Sequence, residues 1–130
     1  MRYILPFLLT LSALAQNSND QTAQMSNGRA WDVFTESIKV GYTAGVYDSL
    51  VMSGVLGSEK ITAENAPVAN GFKVGDYVKE LNRFYSDGEN IRIPITLAMK
   101  FCTTKLKGQT KKEDLEASLI SLRKLVSSFK

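Results

Sequence analysis

The sequence predicts an all-α fold, a compact antiparallel array of four main helices behind a cleavable signal peptide. Three observations lead there. Apolar residues recur three and four positions apart in four separate stretches, and breaks containing Gly, Pro or Asn divide those stretches. The alternation that a half-buried strand needs never lasts.

Met1 to Ala15 has the three parts of a secretory signal. Arg2 and the terminal amine are basic, Tyr3 to Leu11 is apolar, and Ala13-Leu14-Ala15 is a small-x-small cleavage site. The apolar run is shorter than the ~20 residues a helix needs to cross a bilayer. It contains Pro6 and runs at once into Gln16-Asn17-Ser18-Asn19-Asp20. Cleavage after Ala15 is therefore expected, with the product periplasmic or secreted and without stable membrane insertion. Residues 16–26 read as a polar, flexible lead-in, and 27–130 as one helical domain.

Within the domain, Asn27 is placed to cap a short turn through Arg29, Ala30 and Trp31. Thr35 then caps a longer helix running to about Ser53, with Glu36 favourably set against the helix dipole. On that helix Gly41, Gly45, Ser49 and Ser53 recur at every fourth position. An interior glycine costs a helix about 1 kcal/mol relative to alanine, so this ridge is expected to seat a second helix closely, with Ile38, Tyr42, Val46 and Leu50 closing over it.

Residues 57–72 read as loop. A second helix follows over Val74 to Ser86, with Val74, Val78, Leu81, Phe84 and Tyr85 inward and Lys79, Glu80, Asn82 and Arg83 outward. Asp87-Gly88-Glu89-Asn90 ends it. Pro94 suits the first position of a third helix running to Lys107, which Gly108 stops. Thr110 and Glu113 match a capping box for the last helix, whose stripe is Leu115, Leu119, Leu122, Val126 and Phe129.

Composition excludes several functions. Losing residues 1–15 removes one basic and no acidic residue, so the formal net charge falls from +3 to +2. That small, scattered surplus argues against nucleic acid or an anionic membrane surface as partner. There is no histidine, which removes the commonest general base, triad partner and metal ligand together. The single cysteine, Cys102, has apolar neighbours and reads as a buried small residue; an intermolecular disulfide is the alternative. No catalytic set, metal site or cofactor cradle emerges. Asp32, Glu36, Asp48, Asp76, Glu80, Asp87 and Glu89 could supply a carboxylate pair for a hydrolase, but carboxylates at helical spacing are usually solvated surface.

Two segments are more specific than a generic core. One is Gly41 through Gly45 to Asp48, whose carboxylate is either solvated or paired with Arg83, Arg92 or a helix N-terminus. The other is Phe84 to Ile95. There Asn90 can cap backbone groups while Ile91, Ile93 and Ile95 tuck the corner inward. Tyr85, Glu89, Asn90 and Arg92 would otherwise form an exposed polar-aromatic binding edge.

In this order and spacing, the two segments resemble the Rap/Tai type of small exported immunity proteins and related secreted bacterial families. The G-Y-x-x-G-x-x-D element of that family is matched by Gly41 to Asp48. Val78 to Leu106 is similar to its later turn-and-helix part, with Tyr85, Glu89 and Ala98 in comparable places. The resemblance covers about Ser37 to Leu106. It implies a helical protein that binds and blocks a cell-wall amidase effector, often as a homodimer. The family's cysteines are replaced here by Val40 and by none in the following loop, and Gly88 stands where a proline is usual. The leading expectation is thus a non-enzymatic, protein-binding envelope module. The alternatives are a scaffold with a structural or stress role and a carboxylate-dependent cell-wall hydrolase.

Overall fold

The computed structural model describes residues 18–57, 60, 62 and 66–129. The signal peptide assigned to residues 1–15 lies outside the described residues. The architecture is all-α: α1 (Gly28–Val33), α2 (Glu36–Leu56), α3 (Val74–Tyr85), α4 (Ile95–Lys107) and α5 (Lys112–Ser127). Single 3₁₀ turns occupy Ser18–Asp20 and Gly88–Asn90.

The helix starts follow local chemistry. Asn27 accepts from the Arg29 N–H at 3.0 Å, and Thr35 Oγ1 accepts from the Ile38 N–H, opening α1 and α2 as expected. Asp76 accepts from the Lys73 N–H at 2.8 Å at the start of α3. Pro94 is the residue before α4 rather than its first, and its carbonyl accepts from Ala98. The Thr110–Glu113 capping box does not form. The residue preceding α5 is Lys111, whose carbonyl takes the Leu115 N–H, so Thr110 falls one position too early.

The core lies where α1, α3 and α4 meet. Trp31, Leu81, Phe84, Tyr85, Ile93, Ile95, Ala98 and Cys102 are buried there, and Val126 is the one residue of α5 that joins them fully. α3 is the hub, touching α2 on one side and α4 on the other. Between α2 and α3, Ala69 is buried and donates its N–H to the Tyr77 hydroxyl at 2.7 Å.

Two expectations fail here. Residues 18–26 are not a loose lead-in. They fold into a hairpin of β1 (Gln21–Thr22) and β2 (Met25–Ser26), with Gln21 opposite Ser26 and Thr22 opposite Met25. The buried Thr22 hydroxyl donates to the Arg92 carbonyl at 2.7 Å and accepts from Asn27 Nδ2 at 3.0 Å, so the hairpin is fastened to the domain. The second failure is the small ridge. Gly41, Gly45 and Ser49 are exposed, and a Cβ placed on either glycine would meet nothing within 4 Å. At 100° per residue they lie across the helix from Thr43, which is the buried residue of α2. Tyr42, Val46 and Leu50 are half-buried, while the ridge faces away from the core.

Candidate functional site

The turn between α3 and α4 is tied together by several side-chain hydrogen bonds. Asp87 caps it by accepting from the Glu89 N–H at 3.0 Å. Asn90 is buried; its Nδ2 donates to the Phe84 carbonyl at 2.7 Å and its Oδ1 accepts from Arg123 Nε at 2.9 Å. The remaining nitrogens of Arg123 reach Asp87 Oδ2 at 2.7 Å and Glu89. One guanidinium from α5 thus holds three side chains of the turn, each through a different nitrogen, a use of the rigid planar fork that a lysine could not reproduce.

This corrects the exposed polar-aromatic edge. Tyr85 is buried, with its hydroxyl donating to the Ile93 carbonyl at 2.8 Å and its ring edge-on to Phe84. Burial holds its phenol well above the ordinary pKa. Asn90 does cap backbone, as its alternative role requires. Glu89 is exposed but committed to Arg123, and Arg92 is exposed while its carbonyl serves the hairpin. The four residues are close in sequence, yet the fold spends three of them on the corner itself. Ile93 and Ile95 are buried and Ile91 is half-buried.

Asp48 is exposed and makes no ion pair among the described residues; the expected partner Arg83 is engaged by Glu80. Its neighbours on the outer face of α2 are Gly41, Gly45, Ile38, Met52, Val55 and Leu56. The last four are large apolar side chains left 43%, 56%, 64% and 77% exposed.

Glu80 is the residue that sequence reasoning placed on the wrong side. Its side chain is only 7% exposed, because it sits one turn from Tyr77 and Phe84 and points at the end of α4. Arg83 Nη1 meets Oε1 at 2.6 Å and Lys105 Nζ meets Oε2 at 2.9 Å. Around this group a cleft of about 320 Å³ opens between α3, α4 and α5, walled by Phe84, Phe101, Cys102, Leu115 and Leu119. Burial pushes the Cys102 thiol up to about 12, so it stays protonated and inert at neutral pH.

Burial alone would raise the pKa of Glu80, but hydrogen bonds and charge from Lys105 and Arg83 outweigh it and hold the carboxyl below its ordinary 4.5. A depressed carboxyl stabilises the fold above its unfolded pKa, and that contribution disappears as pH falls through the folded value. The urea midpoint is therefore expected to fall below about pH 4.5 more steeply in the wild type than in Glu80→Gln. Parallel profiles for the two proteins would show that Glu80 is not a source of acid sensitivity.

Among the described residues, no three metal-ligating side chains converge, and no helix is long and apolar enough to cross a membrane. The chain matches no family model, no curated protein and no solved structure.

Proposed function

We propose that the chain is an exported protein-binding module that docks a helix of another protein on the outward face of α2. The observation that carries this reading is the state of α2. It has 21 residues, about 30 Å of helix, of which only Thr43 is buried, and it turns a row of small residues and large apolar neighbours to solvent. Burying a large apolar side chain is worth about 1.5–3 kcal/mol, so leaving Ile38, Met52, Val55 and Leu56 uncovered on one helix favours an intermolecular use. The glycines allow a partner backbone to come close, as small residues do at tight helix crossings. Asp48 beside them favours a partner helix carrying a lysine or arginine.

The element on which the Rap/Tai resemblance rests is the one whose Gly41, Gly45 and Asp48 face outward. The specific form that the resemblance implies is an immunity-type inhibitor of a cell-wall amidase effector. Export rests on the N-terminal pattern of residues 1–15.

Gly41→Leu and Gly45→Leu test the reading, because each adds a good helix former at an exposed position where an added Cβ meets nothing within 4 Å. Each is expected to stabilise the isolated protein by about 0.5–1 kcal/mol. Each should also abolish co-purification of the partner that the wild type captures from the organism's envelope fraction. Capture that survives both substitutions retires α2 as the docking face.

A further inference from the structure

We propose that the cleft between α3, α4 and the N-terminal half of α5 binds a single-chain anionic amphiphile. Its tail would lie against Phe84, Phe101, Leu115 and Leu119, and its head on Arg83 and Lys105. The site uses none of the α2 residues, and this proposal does not depend on what α2 docks.

The volume, about 320 Å³, lies at the small end of the range for small-molecule sites, and the walls are of the usual kind, mostly apolar with a few convergent polar groups. The Phe84 and Phe101 rings stand 5.5 Å apart, tilted at 49°, on the helix side. Opposite them Lys112, Leu115, Glu116 and Leu119 follow two turns of α5, an extent of about 10 Å. A lining of that length along α5 suits an extended chain. Leu115 and Leu119 are only half-buried, so a tail laid along them removes further apolar surface from water.

The head is decided by charge. Glu80 brackets Arg83 and Lys105, one carboxylate serving two cations. Arg83 spends one of its three nitrogens on that bond and Lys105 one N–H of its ammonium, and their side chains remain 73% and 48% exposed, so further N–H donors are available at the cleft. Over the whole lining the charges balance, with Lys112 3.8 Å from Glu116 and Asp87 sharing Arg123 with Glu89; the positive excess is local, at Arg83 and Lys105 around the single carboxylate of Glu80. A carboxylate or sulfate head therefore gains charge-assisted bonds there, while a quaternary ammonium meets like charge.

Decanoate, titrated below its micellar concentration into the purified protein and followed by two-dimensional amide NMR, tests this. The expected result is saturable one-to-one binding, with shifts concentrated in α4, the second half of α3 and the first half of α5. Decyltrimethylammonium should bind at least ten-fold more weakly. Arg83→Gln and Lys105→Gln should each weaken decanoate about ten-fold with helix content unchanged, and Leu115→Glu should abolish binding. Arg83, being largely exposed, keeps the test decisive even if Lys105→Gln unfolds. The proposal is overturned by absence of saturable binding, by equal binding of the two amphiphiles, or by shifts centred on the exposed Ile120 and Leu125 instead.

Discussion

Trp31→Ala is expected to cost the fold about 3–5 kcal/mol, read as a large fall in the urea midpoint. A domain of this kind has a total stability of about 5–15 kcal/mol, so much of the population could unfold at moderate temperature. α1 has six residues, far too few to be stable as a helix alone. What holds it is Trp31, 1% exposed, set between Phe34 and Tyr85 with ring centroids at 6.4 and 6.3 Å. Its indole N–H donates to Asn82 Oδ1 of α3 at 2.9 Å. Lys39 of α2 donates to the same oxygen at 3.1 Å and places its ammonium 5.3 Å from the centre of the indole. Three helices therefore converge on one side chain. Trp31→Phe, which keeps most of the ring and loses only the indole N–H and some volume, should cost roughly 1–2 kcal/mol. Near-equal losses for the two variants would show that volume at this position is not what secures α1.

The helices were legible in the sequence because their stripes are strong and their caps are local. Val74, Val78, Leu81 and Tyr85 define α3 by spacing alone, and Asn27 and Thr35 announce α1 and α2 within three residues of where they act. α2 shows where that reasoning stops. Apolar side chains occur all round it, from Ile38 and Val40 to Val55 and Leu56, so spacing cannot tell which face the glycines occupy. The hairpin at 21–26 was illegible for a different reason. Its turn residues, Ala23 and Gln24, adopt φ of 49° and 65°, a left-handed conformation that Asn-Gly would have advertised and Ala-Gln does not.

Glu80 was the recoverable miss. It lies three residues after Tyr77 and four before Phe84, on the edge of the buried stripe, and the cations at Arg83 and Lys105 are what make its burial tolerable. The corner at 84–95 stands out in the sequence by its polarity, but polarity alone cannot distinguish a binding edge from a self-bonded turn. The deciding residue, Arg123, is more than thirty positions away, on a helix whose own pattern says nothing of it.

Gly28→Ala is expected to destabilise by about 2–3 kcal/mol, although the same change at a helix position without steric conflict gains about 0.5–1 kcal/mol. A Cβ on Gly28 would sit 2.4 and 2.7 Å from two carbons of the Tyr85 ring and 2.9 Å from the Ile91 carbonyl oxygen. Neither neighbour can readily retreat. Tyr85 is buried, with its hydroxyl bonded to the Ile93 carbonyl and its ring centroid 5.2 Å from that of Phe84. The Ile91 carbonyl already accepts the Gly28 N–H at 2.9 Å, and the adjacent Asn27 forms a bridge with Pro94. Relief therefore requires α1 to lift from the α3–α4 turn, or the phenol to give up its buried partner. The two glycine classes should thus respond with opposite sign, loss at Gly28 and gain at Gly41 or Gly45, a contrast that helix propensity alone cannot produce. Tyr85→Leu supplies the decisive background, since it removes the ring that the new methyl group would strike. In that background Gly28→Ala should cost clearly less than in the wild type, and strict additivity would rule out the ring as the obstacle.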